Sequence, residues 1–174
     1  MGGFFRRQLT VYVEHHRDPR NFAMHVIGIL LLFTGAVLPL TRVTFAFLGI
    51  KLSLAVILAL PVLLYWLLLD TTLGLGILVA AAALLSIATA IADHADITMM
   101  WLIFCALIAL GLGAQVIGHK VFEGRDASLF KFPSHLLLGP MFVMAKVFIF
   151  FGFRRDLVAI IEPASKDALS TRKL

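Results

Sequence analysis

Residues Thr71–Gly118 read TTLGLGILVAAAALLSIATAIADHADITMMWLIFCALIALGLGAQVIG. The runs Thr71–Ala92 and Ile97–Gly118 contain no Asp, Glu, Lys or Arg, and only Asp93-His94-Ala95-Asp96 parts them. A helix rises about 1.5 Å per residue, so about 20 apolar residues cross about 30 Å of hydrocarbon. Each run predicts one crossing, and so short a link predicts an antiparallel helical hairpin. The same pattern recurs upstream in Asn21–Thr41 and Leu52–Leu69, with Arg42–Lys51 and Asp70 as separators. A fifth apolar stretch, Phe132–Phe153, is interrupted by Pro133, His135, Gly139, Pro140 and Lys146. It reads as a broken, re-entrant or interfacial helix. The predicted fold is an all-α integral membrane bundle of about four transmembrane helices plus this C-terminal piece. One membrane-embedded domain takes residues 1–161, and a polar, flexible tail follows over 162–174.

Composition agrees, since 61% of the 174 residues are hydrophobic, 14% are charged and the mean hydropathy is +1.00. A soluble domain of this size could neither bury nor expose so much apolar surface. The net charge of +5 comes largely from Arg6, Arg7, Arg17 and Arg20 before the first run and Arg154, Arg155, Lys166, Arg172 and Lys173 at the end. That distribution follows the positive-inside rule, gives no nucleic-acid footprint, and puts both termini in the cytoplasm. A bacterial inner membrane, or the endoplasmic reticulum in a eukaryote, is the expected location. The N-terminal 20 residues lack the apolar run of a cleaved signal, and Arg6 stands where a myristoylation motif has Ser or Thr. A single cysteine, Cys105, excludes an intramolecular disulfide framework or thiolate zinc cluster. Phosphate loops, HExxH and nucleophile elbows are missing. Gly74, Gly76, Gly111 and Gly113 read as close helix packing.

The histidines carry what chemistry there is. His16, His25, His94 and His119 fall at or near the ends of membrane segments, where an ionisable group tends to face a cavity and mark a site. Any one of them alone reads equally well as an interfacial side chain with its tip in water. Gln115, His119 and Glu123 recur at intervals of four and line one face of a continued helix. Glu123 then reads as a metal ligand, as a partner fixing the His119 tautomer, or as a surface charge beside Arg125. Asn21 and His25 are one turn apart, and a carboxamide there can orient an imidazole. His15 points elsewhere, and Asp18-Pro19-Arg20 reads as the turn into a helix. Asp93, His94 and Asp96 form either a third polar group of the site or a simple turn whose carboxylates cap the helix near Thr98.

Tyr12, His16, Asn21 and His25, then Asp93, His94, Asp96 and Thr98, then Gln115, Gly118, His119, Phe122, Glu123 and Arg125, then Pro140 and Phe142 recur in one order. Together they resemble the fungal endoplasmic-reticulum 2-hydroxy fatty acid dioxygenases of phytosphingosine degradation and their bacterial relatives. The likeness runs from Tyr12 to about Phe153, and QVIGHKVFEGR (Gln115–Arg125) is its strongest piece. It implies a membrane-embedded iron(II) enzyme that uses dioxygen to shorten a 2-hydroxy fatty acid by one carbon while the tail lies among apolar helices and lipid. It also implies metal ligation by His16, His25, His94 and His119, catalytic or orienting roles for Asn21, Gln115 and Glu123, and supporting roles for Asp93 and Asp96. Lys146 stands where relatives usually carry an acid, and Ser128 where they carry proline.

Four full crossings separate His94 from His16, His25 and His119 by the thickness of the bilayer. For His94 to share their metal, the third and fourth runs must form a shorter, re-entrant pair that returns the turn to the other histidines, and this is the arrangement expected. Two rivals predict other outcomes. A haem protein would hold two axial imidazoles, whereas a non-catalytic membrane scaffold would bind no metal.

Overall fold

A computed structural model of the chain describes residues 2–14, 16, 18–124 and 135–161. His15, Arg17, Arg125, Ser128, Pro133 and the tail 162–174, all invoked above, lie outside the described residues. The order of elements is α1 (Gly3–Glu14), α2 (Pro19–Thr41), β1 (Thr44–Phe47), β2 (Ile50–Ser53), α3 (Leu54–Leu69), α4 (Thr71–His94) and α5 (Ile97–Ile117). A π-helical turn (Gly118–Phe122), α6 (His135–Phe150), a 3-10 turn (Arg155–Leu157) and α7 (Val158–Ile161) follow among the described residues.

Helices α2 and α4, and α5 with its π-helical extension, are long and apolar enough to cross a membrane. Each starts where a carboxylate meets exposed backbone N–H groups. Asp18 accepts from Arg20 N at 2.7 Å with Pro19 in the first turn, Asp70 accepts from Leu73 N at 3.1 Å, and Asp96 accepts from Met99 N at 2.9 Å. The capping reading of Asp96 therefore holds. Helix α6 meets the 3-10 turn and α7 at a bend of 119°. Gly152 and Arg154, with φ of +81° and +51°, reverse the chain there, so a bent pair is found. The bend follows Phe150, however, and α6 runs unbroken through Gly139, Pro140 and Lys146.

The segment expected to form the second crossing is shorter than predicted. Thr44–Phe47 and Ile50–Ser53 pair as an antiparallel hairpin around Leu48-Gly49, and Ser53 caps a helix of only 16 residues. That helix is about 24 Å long, less than the hydrocarbon thickness. Aromatic and β-branched residues at Thr44, Phe45, Phe47 and Ile50 favour the strands. Periodicity alone could not separate Leu52 and Ser53 from the apolar run behind them.

The bundle has two ends. At one, Val37 and Leu38 of α2, Ala55 of α3, Ala88 and Ala92 of α4 and Met100 of α5 form an apolar cluster beneath the hairpin. There Arg42 donates to the Ala92 carbonyl through Nε (3.2 Å) and Nη2 (2.6 Å) and also to the Ala95 carbonyl, satisfying the C-terminus of α4. At the other end, Phe5, Leu9 and Tyr12 of α1 pack with Trp66, Leu73 and Ile77, with Leu138, Met141 and Phe142 of α6, and with Ile160 and Ile161 of α7. Trp66 Nε1 donates to the Leu137 carbonyl at 2.7 Å, and Arg154 Nη1 donates to buried Asp70 at 2.6 Å. These bonds fasten α6 and α7 to the α3–α4 turn. Between the ends, α2 and α5 approach closely, because Gly35 accepts the side chains of Leu107 and Ile108 and Gly111 accepts Leu32.

Candidate metal centre

Each histidine is positioned by its own local segment. His16 follows α1, and its Nδ1 donates to the carbonyl of Tyr12, four residues back, at 2.8 Å. His25 lies in the second turn of α2, and its Nδ1 donates to the carbonyl of Asn21 at 3.2 Å. A carbonyl can only accept, so both rings carry a proton on Nδ1, which leaves Nε2 as the ligating nitrogen of the neutral imidazole. Those two Nε2 atoms stand 3.1 Å apart. His119, on the π-helical turn after α5, completes the group with ring centroids 5.0 Å from His16 and 4.8 Å from His25. All three are buried, and one ligand atom from each lies within 4.8 Å of the others.

Two Nε2 atoms this close are held together either by a proton shared between them or by a metal ion that both ligate. Metal–nitrogen bonds of about 2.0–2.1 Å hold neighbouring ligands about 3 Å apart, so the donor set fits a metal ion. The three-histidine group can therefore bind one.

Glu123 does not join the group of ligand atoms. Its Oε1 accepts from Asp18 N at 2.9 Å and from Asn21 Nδ2 at 3.0 Å, pinning the end of the π-helical turn to the start of α2. A carboxylate at a helix N-terminus is also favoured by the helix dipole. Asn21 orients His25 as expected, but through its backbone carbonyl rather than its carboxamide. The carboxamide is spent on Glu123, and because that partner only accepts, the amide nitrogen must face it. Asn21 Oδ1 is left buried without a hydrogen bond, against Gly118, whose missing Cβ makes the room. The π-helical turn carrying His119 inserts one extra residue per turn, a distortion concentrated at functional sites.

Aromatic rings wall the site. Tyr12 stacks on His16 with centroids 3.9 Å apart and planes 6° from parallel. Phe142 of α6 lies 6.0 Å from His16, 5.3 Å from Tyr12 and 5.8 Å from Phe22. Burial pushes the Tyr12 phenol well above its ordinary pKa, so it stays protonated. The Lys146 ammonium sits over Phe22 (4.5 Å) and Phe142 (5.2 Å). The family resemblance includes Tyr12 and Phe142 but gives neither a role in the site. The four-residue spacing of Tyr12 and His16 is a local signal for the first, whereas Phe142 reaches the site from a distant segment.

The expectation for His94 is corrected. α4 and α5 are continuous helices of 24 and 21 residues, not a shortened re-entrant pair. The 22 helical rises from Ile97 to His119 put about 33 Å between the turn and the triad. His94 is exposed, and its Nδ1 donates to the Ala90 carbonyl at 2.8 Å. Asp93 and Asp96 share that far end. Gln115 is placed one turn below His119, against Gly28 of α2.

Comparison with known proteins gives the same ancestry as the motifs. The chain is 31% identical over 160 residues to the 2-hydroxy-palmitic acid dioxygenase MPO1 of Saccharomyces cerevisiae, covering 90% of this chain and 87% of the yeast protein. No solved structure matches. The family model described as 2-hydroxy-palmitic acid dioxygenase Mpo1-like matches residues 4–151, a span that holds all three buried histidines, and the chain belongs to that Mpo1-like family.

Proposed function

We propose that this protein is a membrane non-haem iron(II) dioxygenase that shortens 2-hydroxy fatty acids by one carbon, with His16, His25 and His119 holding the iron. The observation that carries this reading is the convergence of three buried imidazoles, with the Nε2 atoms of His16 and His25 3.1 Å apart and each ring oriented by an Nδ1–H bond to a carbonyl. Neutral imidazoles suit iron(II) among other metals, and the yeast relative's name supplies the reaction class. The balance is RCH(OH)COOH + O2 → RCOOH + CO2 + H2O. The C1–C2 bond breaks, and the four electrons lost by the substrate reduce dioxygen, so no outside reductant is required.

When bound, the metal supplies open positions where a chelating 2-hydroxy acid and dioxygen meet. The chain's own residues do the rest. The Tyr12 and Asn21 carbonyls hold His16 and His25 in the ligating tautomer. Glu123, through Asn21 and Asp18, fixes the π-helical turn against α2 and so sets where His119 stands. Tyr12, Phe22 and Phe142 keep water from the rings of the triad, and the apolar helices receive the acyl tail. Asp93, His94 and Asp96 take no part. The basic residues Arg6, Arg7, Arg20, Arg154 and Arg155 gather at the histidine end, which supports a cytoplasmic site and cytoplasmic termini.

The spacing of the imidazoles also argues against the haem alternative. A haem would use at most two imidazoles as ligands, whereas three buried imidazoles converge here with their ligand atoms within 4.8 Å of one another. The test is metal analysis of detergent-purified protein together with its optical spectrum. Near-stoichiometric iron, no Soret band, and loss of both iron and 2-hydroxyhexadecanoic acid turnover in His119→Ala are expected. Folded protein that takes up no iron on anaerobic reconstitution would overturn the reading in favour of a scaffold.

A further inference from the structure

Gln115 precedes His119 by one turn on α5, and Gly28 follows His25 by three residues on α2. Both therefore lie under the triad, one turn further into the bundle. They touch, since a Cβ at Gly28 would come 2.6 Å from Gln115 Nε2 and 3.0 Å from its Cδ. The carboxamide thus rests on bare backbone that any larger residue would displace. Gln115 is half-buried, and its side chain makes no hydrogen bond to another described residue. An amide at this depth is costly without a partner.

We infer that Gln115, which the bare backbone of Gly28 lets lie under the triad, is a substrate-positioning residue whose amide N–H groups donate to the carboxylate of the fatty acid. The assignment rests on the proposed reading of the triad as the reaction centre. A 2-hydroxy acid chelates through its hydroxyl and one carboxylate oxygen, leaving the second oxygen in apolar surroundings and in need of a donor. Three nearby donors are committed elsewhere, Asn21 Nδ2 to Glu123 and the Nδ1–H groups of His16 and His25 to carbonyls. The cations Arg20 and Lys146 sit over the rings of Phe122, Phe22 and Phe142. A carboxamide also donates without setting a second positive charge beside a bound cation.

The test is equilibrium binding of hexadecanoic acid and hexadecan-1-ol to metal-free, full-length protein in detergent, comparing wild type with Gln115→Leu and Gly28→Ala. Gln115→Leu should weaken the acid about ten- to a hundredfold, the worth of one hydrogen bond to a charged group, and leave the alcohol unchanged. Gly28→Ala, which pushes the intact carboxamide aside, should reproduce that selectivity. Equal weakening of acid and alcohol means lost packing and overturns the inference, as does unchanged acid binding. Failure of the dioxygenase reading appears separately, as iron-loaded wild type that binds the acid but does not convert its 2-hydroxy derivative.

Discussion

The two ends of the bundle carry the same chemical alphabet and use it differently. At one end, His16, His25 and His119 are buried together, with Glu123 and Asn21 beside them. At the other, Asp93, His94 and Asp96 are exposed on a turn, where the aspartate caps a helix and the histidine bonds within its own helix. What separates a site from a turn is therefore convergence of lone pairs from different segments. Residue type and closeness to a membrane end are common to both.

That contrast breaks most sharply at the histidines. His16→Ala, His25→Ala or His119→Ala should each abolish iron retention and lower turnover by more than the 10–100-fold that follows loss of an orienting partner. His94→Ala should leave iron content and turnover at wild-type levels. Metal analysis and oxygen consumption on the four variants give the answer, and iron lost from His94→Ala would return the far turn to the site.

Glu123 sharpens the comparison within the site itself. It touches Asp18 and Asn21, so removing its acceptor should loosen the ligands without deleting one. Glu123→Ala is expected to weaken iron affinity about 10–100-fold, measured by chelator competition. Glu123→Gln keeps one acceptor oxygen and should recover most of it. If the glutamine variant proves as poor as alanine, the carboxylate charge acts on the metal directly.

Much of this was legible in the sequence, and the limits are physical. Uncharged runs of bilayer length marked α2, α4 and α5 because hydrocarbon tolerates little else. The stretch after Phe132 does end in a bend, but at Gly152 and Arg154. Helix α6 runs unbroken through Gly139, Pro140 and Lys146, the residues that marked the interruption in the sequence. His16, His25 and His119 were marked individually by their cost at membrane depth, but their assembly depends on how α1, α2 and α5 cross, and no local pattern records that. The same blindness admitted His94, whose cost appears equal until its distance is known. The hairpin escaped because Leu52 and Ser53 extend an apolar run without a change of period, and the π-helical turn escaped because its extra residue leaves no compositional trace.

Glycines extend the contrast to packing. At the histidine end, Gly118 makes room for the Asn21 side chain, whereas Gly113, on the same helix, has nothing within 4 Å of where a Cβ would stand. Gly118→Ala should therefore cost about 1–3 kcal/mol, as overpacking does, and loosen the metal by moving Asn21. Gly113→Ala should instead stabilise α5 by up to about 1 kcal/mol, the usual gain in a helix interior. Thermal unfolding with metal analysis separates the two, and an iron site indifferent to Gly118→Ala would detach Asn21 from it.

The smallest effect belongs to the far end. Arg42 holds the C-terminus of α4 through the Ala92 and Ala95 carbonyls, and a cation there also complements the helix dipole. Arg42→Ala should cost about 1–2 kcal/mol of stability while leaving iron content and turnover intact, because the long helices between separate it from the triad. Arg42→Lys keeps the charge but loses the planar fork that reaches both carbonyls, so it should recover only part of the loss. Were Arg42→Ala to release iron in protein that remains folded, the ends would be coupled through α2, and the far turn would matter to the site without touching it.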